Sequence, residues 1–142
     1  PDGFFRTGDL ARIDEDGYVR ITGRIKDLII RGGVNIAPAD VEDVVFKHPR
    51  VANVAVVGYP DPRLGERICA FVVLSQGERL DLAEVQAWME AAGISKQKWP
   101  ERVEIVDRLP MTTSGKVQKF LLRQRIAETL AAESTATGAR LA

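Results

Sequence analysis

The chain has 142 residues, 20 Lys+Arg against 20 Asp+Glu, with 45% apolar and 28% charged residues. This is one domain's length with an ordinary soluble composition. The balanced charge leaves no broad field for nucleic acid or an anionic membrane, and no apolar run approaches the roughly 18–20 residues of a membrane span.

One cysteine, Cys69, and one histidine, His48, allow neither an internal disulfide nor a Cys/His metal cluster. That usage suits the cytoplasm. The opening Pro1-Asp2-Gly3-Phe4-Phe5 lacks an initiator Met and reads as mid-protein sequence, so a fragment without its amino-terminal portion is expected.

The first predicted element is a hairpin over residues 10–22, because Asp14-Glu15-Asp16-Gly17 separates two apolar runs and Asp-Gly is a strong turn signal. A short buried strand follows at 28–30, ended by Gly32-Gly33. Pro38 suits the first turn of a helix, whose stripe Val41, Val44, Val45, His48 stops at Pro49. Residues 51–57 and 68–74 read as strands, apolar enough to be covered on both faces. The segment between them, from Gly58 to Glu66, is rich in turn formers. Asp81 is placed to cap a helix, with Glu84 at capping-box distance, and Leu82, Val85, Met89 and Ala92 form its apolar stripe before Gly93. Residues 103–106 suggest a strand and 119–132 a helix with Leu122, Ile126 and Leu130 on one side; residues 133–142 read as a disordered tail.

The sum is an α+β unit with a central, roughly three-stranded sheet flanked by helices and preceded by a separate hairpin. The boundary is expected near Lys26, giving segments 1–25, 26–132 and 133–142.

Three short segments carry candidate chemistry: Thr7-Gly8-Asp9, Gly23-Arg24-Ile25-Lys26-Asp27, and Pro110 to Lys116. The last ends a Thr/Ser/Gly loop on a lysine. Pro110 stiffens the approach, Gly115 permits turn geometry, and the ammonium is a point charge able to stabilise negative charge that develops in acyl or phosphoryl transfer. It is not a P-loop, since the first glycine is absent and Val117 follows the lysine. Taken alone, the segment reads more readily as a solvated turn. Asp9 could accept hydrogen bonds from a ribose diol or cap a turn. Arg24 could reach ribose or phosphate oxygens with its donor fork, or pair with Asp27 or Asp9. Gly32-Gly33 could let a ligand approach the backbone closely, or simply end a strand. His48, before Pro49, reads as a helix-terminal residue without a catalytic role, and Trp88, Trp99 and Cys69 read as packing groups.

Together these segments resemble the carboxyl-terminal part of the adenylate-forming superfamily, which includes acyl-CoA synthetases, peptide-synthetase adenylation domains and firefly-type luciferases. The resemblance covers residues 1–130. It rests on Phe5-Arg6-Thr7-Gly8-Asp9-Leu10, Gly17-Tyr18, Gly23 to Asp27, Arg31-Gly32-Gly33-Val34-Asn35-Ile36, Pro60-Asp61, Gly65-Glu66, and Pro110 to Lys116.

The resemblance implies an acid–thiol ligase of fatty acid metabolism. A carboxylate and ATP give acyl-AMP and pyrophosphate, and the acyl group then passes to CoA. It implies that Asp9 binds the ribose hydroxyls, Arg24 makes a second nucleotide contact, Lys26 is the hinge, and Lys116 bridges carboxylate and nucleotide during adenylation. Arg31, Gly32 and Gly33 would meet the pantetheine arm of CoA once the lid has swung. Mg2+ would come with ATP, bound mainly by the amino-terminal domain of the same chain, and the fragment alone would be inactive. A protein acetyltransferase acting on Lys116 is a further implied partner. Arg31 and Val34 depart from the commonest text of the family, which has Ser and Glu there; both flank the thiol channel. Two alternatives stay open: an adenylation domain loading carrier-protein pantetheine, and a non-catalytic binding module.

Overall fold

The computed structural model describes residues 8–141, with the side chains of residues 9, 10, 12, 20–23 and 136–141 outside that description. Strands β1 (Asp9–Ile13) and β2 (Val19–Arg24) form a two-stranded antiparallel ribbon. The turn has a local cause: one oxygen of the Asp14 carboxylate accepts the amides of Asp16 and Tyr18, each at 3.0 Å. Gly17 takes a left-handed φ of 85° there, where other residues are strained.

A short 3-10 turn, Ile25–Asp27, leads into β3 (Ile29–Arg31) and β4 (Val34–Ile36), which pair across Gly32-Gly33. Helix α1 (Pro38–Phe46) has Pro38 in its first turn, as expected. Then come β5 (Val51–Asp61), β6 (Gly65–Leu74), α2 (Leu82–Ala91), β7 (Arg102–Ile105) and α3 (Lys119–Leu141).

The main sheet runs β4-β3-β6-β5, with β7 parallel to β6, and so has five strands where the sequence suggests about three. The α+β class stands; β3 answers to the short strand expected at 28–30, and β4 is the strand the sequence did not suggest. Its three residues are too few for an alternating pattern to register, and only pairing with β3 across the turn reveals it.

Alternation along β5 and β6 explains why both strands are apolar throughout. Val54, Val56, Ile68, Ala70 and Val72 face α1 and α2, meeting Val41, Val45, Val85 and Met89. Ala55, Val57, Cys69 and Phe71 face α3, meeting Leu122 and Ile126. The sheet is therefore covered on both sides. Full burial of each large side chain contributes roughly 1.5–3 kcal/mol, which makes these strands the rigid floor of the domain. Cys69 belongs to that floor: burial pushes its thiol up to about 12, so it is a packing group and not a thiolate nucleophile.

The Asp81 carboxylate accepts the Glu84 amide at 2.8 Å and caps α2, a contact worth about 1 kcal/mol. The reciprocal half of a capping box is replaced, because the Glu84 carboxylate pairs with Arg50. Helix α3 runs on past Ala132, through the stretch read from sequence as a tail, to Leu141. Alanine at 131 and 132 favours the helix, and Arg102 of β7 holds Glu133 through both of its terminal nitrogens.

His48 ends the α1 segment 8% exposed. Its Nδ1 accepts the Arg50 amide at 3.1 Å, and its ring meets Trp88 edge-on at 4.8 Å. Burial, then the Arg50 charge, lowers its pKa from the usual 6.5. The unfolded chain therefore binds the His48 proton more readily than the folded one. Stability linked to this group is fully present above pH 6.5 and is lost as pH falls through the lowered folded value. Thermal midpoints measured between pH 8 and pH 5 should fall with acid, and His48→Gln should flatten that part of the curve. The depressed carboxyls of Asp61 and Glu133 act only at lower pH, below their usual 3.8 and 4.5.

Candidate functional site

The β1–β2 register brings two of the three candidate segments together. Asp9 stands directly opposite Arg24, and the Ile25 amide donates to the Gly8 carbonyl at 2.8 Å. Gly8 holds a left-handed φ of 76°. Thr7 and the Asp9 side chain lie outside the described residues. Arg24 and Lys26 are both exposed, Lys26 in the turn that joins the ribbon to the sheet.

The third segment is a tight hairpin loop. Met111 and Val117 pair as an isolated antiparallel bridge. Inside it the Thr112 amide donates to the Lys116 carbonyl at 2.8 Å and the Gly115 amide to the Thr112 carbonyl at 3.0 Å. Gly115 has φ 87°. This is the pattern of a three-residue loop closed by a left-handed glycine. The Thr112 hydroxyl adds a contact to the Lys116 amide at 3.1 Å and one to Ser114 at 2.9 Å. The Thr/Ser/Gly composition thus serves loop closure, and the backbone of Lys116 is fixed independently of its ammonium.

Lys116 lines a cavity of about 250 Å³ together with Arg24 and Lys26. Lys119 and Arg123, at the start of α3, line it too; Lys119 pairs with Glu42 at 3.1 Å and Arg123 with Asp27 at 3.2 Å. Asp27 thus pairs with Arg123. Glu42 also accepts the Val56 amide at 2.9 Å, so α1, β5 and α3 are tied together beside the loop. Among the described residues, no carboxylate lies within salt-bridge distance of the Lys116 ammonium. Asp27 lines the recess as well, so its walls carry one carboxylate against Arg24, Lys26, Lys116, Lys119 and Arg123, a net positive arrangement chemically suited to an anionic ligand such as a nucleotide phosphate or a carboxylate. Among the described residues no group of three His, Cys, Asp or Glu side chains converges as a metal site.

Arg31, Gly32 and Gly33 do not line that recess. They form a separate tip, where Gly32 and Gly33 have φ of 57° and 81°. Gly33 is exposed, with nothing within 4 Å of where a Cβ would stand. Arg31 is not a freely offered cation: its Nε meets Glu101 at 2.7 Å, and its side chain is 23% exposed. The same carboxylate holds Arg67 at 2.9 Å, and Arg67 also pairs with Asp61. Sequence reading missed Glu101, Glu42, Lys119 and Arg123 as groups that frame the two sites. Each acts across a sequence gap that leaves no local pattern. Asp61, Gly65 and Glu66 had appeared only within a turn-rich segment and as markers of resemblance.

A family profile described as AMP-binding enzyme C-terminal domain matches residues 40–116. The medium-chain fatty-acid–CoA ligase of Escherichia coli is 49% identical over 126 residues, covering 88% of this chain and 22% of the ligase. The chain thus spans about a fifth of the length of such curated relatives. Among solved structures, ATP-bound MatB from Rhodopseudomonas palustris superposes with a TM-score of 0.83 at 45% identity, covering 87% of this chain and 24% of that one. The amide bond synthetase McbA from Marinactinospora thermotolerans does so with a TM-score of 0.80 at 39% identity, covering 87% and 25%.

Proposed function

The chain belongs to the AMP-binding enzyme C-terminal domain family, and on that premise we propose that it is the mobile lid of an ATP-dependent acid–CoA ligase. The observation that carries the reading is the shared recess of Lys116, Arg24 and Lys26, residues from two distant parts of the chain. In the first half-reaction a carboxylate oxygen attacks the α-phosphorus of ATP, the bond to pyrophosphate breaks, and acyl-AMP forms. The Lys116 ammonium lies between the carboxylate and the α-phosphate and offsets the negative charge both bring. Asp9 accepts hydrogen bonds from the ribose hydroxyls, and Arg24 gives the second nucleotide contact. Mg2+ accompanies the ATP phosphates and is held by the amino-terminal domain.

In the second half-reaction the CoA sulfur attacks the acyl carbonyl and AMP leaves. The lid turns about Lys26, withdrawing Lys116 and bringing the Gly32-Gly33 tip beside the pantetheine arm. Arg31, drawn back onto Glu101, sets the base of that tip. The enzyme works in the cytoplasm. No described helix is long and apolar enough to cross a membrane.

The test is pyrophosphate release by the full-length protein across a panel of carboxylic acids that begins with medium-chain fatty acids. CoA, pantetheine-charged carrier protein and a simple amine are then offered as acceptors. Acid-dependent release with CoA as the preferred acceptor is the expected result. The amine arm is warranted because the same fold occurs in an amide bond synthetase. No acid-dependent release would leave only a binding module.

Lys116 is exposed and is also the proposed target of a protein acetyltransferase, since acetylation removes its charge. Enzymatic acetylation should abolish adenylation with Lys116 as the modified residue. Mass spectrometry locating the inhibitory mark on another lysine would overturn this.

A further inference from the structure

The sheet ladder alone does not hold the Gly32-Gly33 tip. β3 meets β6 at a single pair, Arg31 with Gly65. One residue back, the Ile30 amide donates to the Glu66 carboxylate at 2.7 Å. A side chain thus substitutes for the main-chain acceptor that the ladder lacks.

The fold makes room for it. A Cβ on Gly58 of β5 would stand 2.8 Å from the Glu66 carboxylate, so glycine at 58 leaves the space that the carboxylate fills. Beyond the tip, the Gly32 amide donates to the Leu64 carbonyl at 2.8 Å. Leu64 is itself fixed, because Asp61 accepts its amide at 2.8 Å and that of Arg63 at 2.9 Å. The tip is therefore held on one side by Glu66 and on the other by the Asp61 turn. Glu101 joins the two arginines, Arg31 and Arg67, at the base. None of these residues lines the Lys116 recess.

We propose that Glu66 is a positioning residue for thiol transfer: its carboxylate sets the height of the Gly32-Gly33 tip and leaves adenylation to the other face of the lid. This rests on the reading of the tip as the thiol-side face. Removing the carboxylate leaves the Ile30 amide without its acceptor and releases the strand that carries the tip.

The experiment compares the two half-reactions of the full-length ligase, pyrophosphate release on one hand and acyl-CoA formation from supplied acyl-AMP on the other. Glu66→Ala should slow the second by roughly tenfold to a hundredfold, the penalty of a small misplacement, while the first stays near the parent rate. Glu66→Gln, whose amide oxygen can still accept, should restore most of the loss. Gly58→Ala, which crowds the carboxylate out of place, should reproduce Glu66→Ala and serves if that variant folds poorly. Equal losses in both half-reactions would mean a merely structural role and overturn the proposal. So would unchanged acyl-CoA formation in Glu66→Ala and Gly58→Ala alongside a slowed Gly33→Trp. If Gly33→Trp itself spares acyl-CoA formation, the reading of the tip fails first and this proposal falls with it.

Discussion

Lys116→Ala in the full-length ligase is expected to slow acyl-adenylate formation by roughly two to three orders of magnitude, the usual cost of removing one group aimed at developing charge. Acyl-CoA formation from supplied acyl-AMP should stay near the parent rate. The structure makes this a clean experiment. The loop closes through the Thr112, Gly115 and Lys116 backbones and the Thr112 hydroxyl, so losing the side chain beyond Cβ leaves its hydrogen bonds intact. Among the described residues no carboxylate pairs with the ammonium, so the substitution strands no partner. Lys116→Arg should recover only part of the rate, since a planar fork does not replace a compact charge. Equal loss in both half-reactions would remove Lys116 from its role in adenylation.

The recess also indicates which interactions of the site a sequence can disclose. The hairpin around Asp14-Glu15-Asp16-Gly17, Pro38 at the head of α1 and Asp81 at the head of α2 were legible because their causes are local. Each is a side chain or a φ angle acting within about four residues. The two covered faces of β5 and β6 were legible from composition alone. β4 was not, because it exists only through pairing. The continuation of α3 was not, because Arg102 holding Glu133 spans 31 residues. In the site, the cationic tip at Lys116 stood out through its loop chemistry. The groups that frame it act over far longer separations: Asp27 with Arg123 are 96 residues apart. Glu66 and Gly58 form the sharpest case. Gly58 reads as a turn residue at the end of a strand, yet it lies inside β5 and gives up its side chain so that another residue's carboxylate can reach across to β3.

Gly33→Trp should have the opposite effect to Lys116→Ala: acyl-CoA formation slowed about a hundredfold, as expected when reacting groups are held away from their approach, with adenylation near the parent rate. Two causes could slow the step, and the structure separates them. At φ 81° any side chain is strained, costing about 1–2 kcal/mol. The space around the site is open, so bulk meets nothing within the chain itself and acts only on what passes the tip. Gly33→Asn, a residue that tolerates the left-handed region, introduces little of either burden and should stay close to parent. Gly33→Ala carries the strain without the bulk. If Ala and Trp slow thiol transfer equally, the cause is the backbone and not a channel beside the tip. If Trp slows adenylation as strongly as thiol transfer, the lid does not offer two faces in turn. Selective loss in Trp, with Asn and Ala near parent, would mean that the thiol passes close to an exposed peptide at Gly33, which is why a residue without a side chain stands there.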